Sequence, residues 1–152
     1  MGIFVNPGNV AFQVALNSEI YVDKTGLLNY TNRVMDTTSK FICNSRPRRF
    51  GKSYAANMLA AYYSKGADSE KMFSGLAISR NIDFKKHLNQ YDVIHIDIQW
   101  FLANCNDANK VVAFITKSVL DELRDLYPEV LTQDTGTIPD ALSRVKERTG
   151  QK

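Results

Sequence analysis

Gly51, Lys52 and Ser53 close the stretch F-I-C-N-S-R-P-R-R-F-G-K-S at residues 41–53, and those residue types in that order suit phosphate chemistry. A lysine at the start of a helix can reach the β- and γ-phosphates of a nucleotide. The serine hydroxyl after it can hold Mg²⁺, the glycine lets backbone close in, and the first-turn amides complete the cradle. The pattern G-x-x-x-x-G-K-[ST] has its first glycine where this chain has Arg46, and Pro47 stiffens the loop and removes one backbone donor. A bare Gly-Lys-Ser carries little weight. Here it gains from the apolar run Phe41-Ile42-Cys43 before it, a helix-forming stretch after it, and the cations Arg46, Arg48, Arg49 and Lys52 around it. Two other readings stay open at this level: a basic turn between strand and helix, and a Lys/Arg cluster that grips a nucleic-acid backbone.

The remaining candidates for chemistry are sparse. Asp97 ends the run V-I-H-I-D and is the acid that could hold a metal's water shell opposite the loop. The reading as a polar residue at a strand end is the favoured one. His87 and His95 stand alone without ligand spacing, and neither Cys43 nor Cys105 sits in a C-x-x-C pair, so zinc is not indicated and a reducing compartment fits better than a disulfide scaffold. Cys43, inside an apolar run, is expected to be buried.

The elements that would position these residues come from a chain of 152 residues, 44% hydrophobic, 23% charged and with formal net charge +3. That suits one domain over residues 1–152, and the charge is too small to imply nucleic acid except locally at the loop. No apolar run approaches the ~18 residues of a membrane span, no signal peptide is visible, and M-G-I-F-V-N lacks the Ser/Thr of a myristoylation signal. A cytoplasmic protein with no membrane partner is expected. Repeats, low-complexity segments and linkers are absent.

In order, Asn6-Pro7-Gly8-Asn9 is a turn, and Phe12, Val14 and Leu16 fit strand or helix. Asp23 or Thr25 can cap a helix carrying Leu27, Leu28, Tyr30 and Val34. Residues 40–44 read as a strand feeding the loop. Beyond Ser53, Ala55, Met58, Leu59, Tyr62 and Tyr63 recur at helical spacing. Met72, Phe73, Leu76 and Ile78 anchor a short excursion, and residues 84–88 read as a short helix. The β-branched run 93–98 predicts a strand buried on both faces, as in a parallel sheet. A long helix follows Asp107, with Val112, Ile115, Val119, Leu123 and Leu126 as its stripe, ended by Pro128. A last helix has Thr137 as N-cap, Pro139 and Asp140 in its first turn, Leu142 and Val145 inward, and Gly150 at its end. Strand, loop, helix, strand, helix, helix is the opening of a βαβ arrangement.

Taken together, I-Y-V-D-K-T (residues 20–25), S-R-P-R-R-F-G-K-S (45–53), M-L-A-A-Y-Y (58–63) and M-F-S-G-L (72–76) resemble the bacterial AAA-ATPase-like family. These are large proteins whose N-terminal ATPase-like domain is often followed by a nuclease-like domain of the PD-(D/E)XK type. The resemblance runs from about Asn6 to Lys152, and the joint presence of V-D-K-T and R-P-R-R-F-G-K-S is far more specific than Gly-Lys-Ser alone. The family's loop carries arginine in place of the first glycine. The resemblance implies an α/β, P-loop NTPase-like fold with a partial, truncated parallel sheet flanked by helices. It implies ATP and Mg²⁺ as cofactors, held by a variant Walker A loop: Arg46, Arg48, Arg49, Phe50, Gly51, Lys52, Ser53 and Tyr54 at the nucleotide, Ser53 also at the metal. The family's acidic strand would begin just beyond Lys152. The chain then resembles an N-terminal piece that binds nucleotide but is not expected to hydrolyse it in isolation, with Asp97 on the wrong strand to serve.

Such a piece would expose sheet edges and an apolar face, with self-association through those edges, a filling partner or a non-native pairing as consequences. Nucleic acid is implied only through the architecture of the family's longer members. Two rival functions remain: a non-enzymatic interaction module with a degenerate loop, and a basic loop that binds nucleic-acid phosphates.

Overall fold

The computed structural model describes residues 2–45, 47 and 49–150. They fall into two compact units, Gly8–Tyr91 and Met1–Pro7 with Asp92–Lys152, each with its own apolar interior.

The unit Gly8–Tyr91 is built around a helix that is apolar on nearly every side. Helices α1 (Val10–Leu16) and α2 (Gly26–Val34) precede the loop, α3 (Lys52–Tyr63) follows it, and α4 (Glu70–Phe73) and α5 (Phe84–His87) complete the unit. Ala55, Met58, Ala60, Ala61, Tyr62 and Tyr63 of α3 are all buried. Its alanines allow close approach of neighbours, while its tyrosines fill the interior, since Tyr62 meets Phe73 edge-on at 5.3 Å and Phe73 stacks on Phe12 at 5.0 Å. Both tyrosine hydroxyls find partners. Tyr62 donates to the Phe84 carbonyl (2.8 Å) and accepts from Asn32 (3.1 Å), and Tyr63 donates to the Asn32 side-chain oxygen (2.6 Å). Burial pushes the Tyr63 hydroxyl's pKa well up, so it stays a neutral donor.

In the second unit, helices α6 (Ile98–Ala103), α7 (Val111–Leu126) and α8 (Ile138–Thr149) pack with the segment before Pro7. Phe4, Val5, Phe101, Val119, Leu123 and Val145 form its core. The start of the chain is tied down by one carboxylate. Glu122 of α7 accepts from the amides of Ile3 (2.9 Å), Phe4 (2.9 Å) and Val5 (2.8 Å). Asp92 accepts from Asn6 (2.7 Å) and from the Tyr127 hydroxyl (2.6 Å).

The α/β fold with a parallel sheet read from the sequence is overturned. Among the described residues there is no sheet, only isolated bridges, an antiparallel one between Val5 and Ile94 and a parallel one between Ser64 and Tyr91. The cause is pairing. An extended run becomes a strand only if neighbours take its amides and carbonyls. Residues 41–45 find none among the described residues and lie exposed, with Phe41 87% exposed and Cys43 also outside, contrary to its expected burial. Among the described residues, 93–95 pair with the chain start, through Asn6 N–H to the Val93 carbonyl (2.7 Å) and His95 N–H to the Phe4 carbonyl (2.8 Å). The run is then half-buried rather than sandwiched, and its end turns into α6.

Helix faces shift by a residue in places. Val111 is buried where Val112 was expected, with Val112 74% exposed, and Ala141 is buried where Leu142 was expected. No helix among the described residues is long and apolar enough to cross a membrane.

Candidate functional site

The loop keeps its place at a helix start even without a sheet behind it. Gly51 is the N-cap of α3 and adopts a left-handed conformation (φ 76°, ψ 31°), and no side chain caps the helix there. Arg49 is also left-handed (φ 67°), an uncommon state for a residue with a side chain. The first amides of α3 thus lie at the positive end of a helix of 12 residues whose N-cap glycine offers no side-chain acceptor.

A pocket of about 350 Å³ opens beside this loop. One wall is apolar and partly aromatic: Phe12 of α1, Ile20, Tyr21 and Val22 of the segment before α2, and Tyr54 and Met58 of α3. Tyr21 and Phe12 meet edge-on at 6.2 Å. Burial, reinforced by the Asp23 charge, pushes the Tyr21 hydroxyl's pKa up, so it is neutral here. The other wall is the loop itself, with Arg49, Phe50 and Gly51, joined by Lys24. Among the described residues no aspartate or glutamate lines the pocket, and its charged groups are all cationic.

Lys24 is the residue that sequence reading missed. Its ammonium donates to the Phe50 carbonyl (3.1 Å) and lies 2.6 Å from where a side chain on Gly51 would begin. The motif V-D-K-T was visible, but nothing in its spacing links residue 24 to residue 51. Its neighbours serve as anchors. The Asp23 carboxylate accepts from the Thr25 amide (2.8 Å), the Thr25 hydroxyl (2.7 Å) and the Ala77 amide (2.7 Å). The fully buried Thr25 hydroxyl accepts in turn from the Ile78 amide (3.1 Å). Partial burial pushes the Asp23 carboxyl up, but the hydrogen bonds from Ala77 and Thr25 outweigh it and hold the group below the usual aspartate range.

The expected site residues divide as follows. Arg49, Phe50, Gly51 and Tyr54 line the pocket. Lys52 and Ser53 are exposed on the first turn of α3, next to it. Arg46 and Arg48 lie outside the described residues. Asp97 belongs to the other unit, where its carboxylate accepts from the amides of Gln99 (2.9 Å) and Trp100 (3.3 Å) as the N-cap of α6. Among the described residues no three His, Cys, Asp or Glu side chains gather as a metal site.

The site thus joins a left-handed glycine against which Lys24 lies, the first turn of α3, cations and an apolar wall. A family model described as AAA-ATPase-like, predicted AAA-ATPase, matches residues 11–152. No curated protein and no solved structure matches the chain.

Proposed function

The chain belongs to the AAA-ATPase-like family, and from that premise we propose that the pocket beside Gly51 binds ATP with Mg²⁺. The observation that carries the reading is the pairing of a left-handed glycine cap on α3 with a pocket whose charged lining is wholly cationic. The phosphates of ATP would take the amides from Arg49 to Ser53, with Lys52 adding its charge, as helix N-termini favour anions. The wall of Phe12, Ile20, Tyr21, Val22, Tyr54 and Met58 suits a planar base. Magnesium keeps most of its water and is commonly carried on phosphates, so the Ser53 hydroxyl would be the chain's contribution to it. The reading is one of binding.

Calorimetric titration of the folded chain with ATP or ADP and Mg²⁺ tests it. Binding is expected, and Lys52→Ala should weaken it at least about tenfold, or ~1.4 kcal/mol. Failure of the folded chain to bind either nucleotide would overturn the proposal. A nucleic-acid clamp predicts instead that Lys52→Ala loses no more than Arg49→Ala and that binding collapses with added salt.

A further inference from the structure

We propose that Lys24 is a second phosphate-binding lysine of this site, held over the loop by Asp23 and Thr25. The inference rests on the nucleotide reading of the same pocket and adds a residue from outside the loop.

Lys24 reaches Phe50 across 26 residues of sequence, and the Phe50 carbonyl is its partner among the described residues. A single neutral carbonyl does not balance an ammonium. The group is placed, moreover, above Gly51, at the positive end of α3, and shares the pocket lining with Arg49. Like charges gathered at a helix N-terminus repel one another and the helix dipole, and an anion between them removes the conflict. Among the described residues the pocket lining holds no acidic side chain, which leaves that place to an anionic ligand. A triphosphate carries enough charge to engage both lysines.

The placement is built. Both neighbours of Lys24 commit their side chains to the turn at 77–78: Asp23 to the Ala77 amide and to Thr25, and Thr25 to the Ile78 amide. Helix α2 begins directly afterwards at Gly26. Within the triplet, only Lys24 turns to the pocket. Asp23 and Thr25 are therefore positioning residues, and Lys24 is the ligand. Its bond to Phe50 is exposed, so exchanging that carbonyl for a phosphate oxygen loses little.

The test compares ATP with adenosine, each displacing a fluorescent ATP analogue from the full chain with Mg²⁺ present. Lys24→Ala and Lys24→Met should weaken ATP about tenfold while leaving adenosine within about twofold, with the melting temperature unchanged. Lys24→Arg should recover most of the loss. Asp23→Asn should follow the alanine variant in direction, because it loosens the turn that holds the lysine. The two readings fail separately. If Lys52→Ala weakens ATP and the Lys24 variants do not, or if those variants weaken adenosine equally, the role of Lys24 is overturned and the nucleotide pocket stands. If the unmodified chain binds no ATP, both are overturned.

Discussion

At the scale of single residues, the loop's geometry rests on Gly51 and its acid response on Asp23. An alanine at Gly51 must hold φ near 76°, which costs an L-residue about 1–2 kcal/mol, and its Cβ would lie 2.6 Å from the Lys24 ammonium. A lysine tip can move aside, so the fold should survive Gly51→Ala while the cation leaves its place. We expect a lower urea midpoint by that amount together with weaker ATP binding; unchanged binding would mean that neither the glycine nor the lysine above it matters. Asp23 gives a pH prediction of definite sign. Its folded pKa lies below the unfolded value of about 4, so its contribution is complete above that value and is lost as pH falls through the folded pKa. The melting temperature of the chain should therefore decline on acidification below about pH 4, and the Asp23→Asn variant should show a shallower decline over the same range. Equal slopes would show that the carboxylate is not the group holding Ala77 and Thr25. None of this was legible from sequence beyond the glycine itself. Lys24 and Tyr21 line the pocket because the contact at 77–78 fixes the segment before α2, and Phe12 because α1 packs on α3; such tertiary contacts leave no local signature.

At the scale of elements, the helix ends carry the clearest lesson about what a sequence displays. Both ends of helix α8 were readable: Thr137 accepts from the Asp140 amide (3.3 Å), proline sits in the first turn, and Gly150 ends the helix at φ 66°. Each signal is local and chemically distinct. The end of α3 was not readable, because its cap comes from afar. Asn89, left-handed at φ 55°, donates from its side chain to the carbonyls of Ala61 (3.0 Å) and Ser64 (2.8 Å), while its side-chain oxygen accepts from the Ser69 amide (3.0 Å). Asn89→Ala removes those bonds and leaves alanine in a conformation it disfavours. The expected loss is about 2–4 kcal/mol, measured by chemical unfolding, whereas Thr137→Ala should lose only about 1 kcal/mol. Comparable losses would mean that the α3 cap is not the stronger of the two. The apolar runs 41–43 and 93–98 failed as strand predictions for a related reason. β-branched, apolar residues report a preference for extended backbone, but not whether a second chain segment is present to take its hydrogen bonds.

At the scale of the whole molecule, the start of the chain matters more than its length suggests. Residues 2–6 return to the unit formed by residues 92–150, and one carboxylate, Glu122, gathers three consecutive amides there. Phe4 then packs against Trp100 at 5.5 Å and Phe101 at 4.9 Å, so the polar latch and the aromatic contacts reinforce each other. The space around the latch is full, because a Cβ on Gly2 would lie 2.1 Å from a Glu122 oxygen and 2.8 Å from the Val5 carbonyl. That oxygen cannot simply swing away, since it is held by the amides of Phe4 and Val5. Two unlike substitutions, Glu122→Ala and Gly2→Ala, should therefore release the same segment. Trp100 is the chain's single tryptophan and reports on this unit directly. Both variants should shift its emission to the red and lower the unfolding midpoint it reports, Glu122→Ala by about 2–4 kcal/mol. Glu122→Gln should fall between them and the unmodified chain, because an amide has one acceptor oxygen where the carboxylate uses two. If Glu122→Ala leaves the Trp100 signal in place, Phe4 is held by packing alone, and the carboxylate serves only the exposed end of the chain.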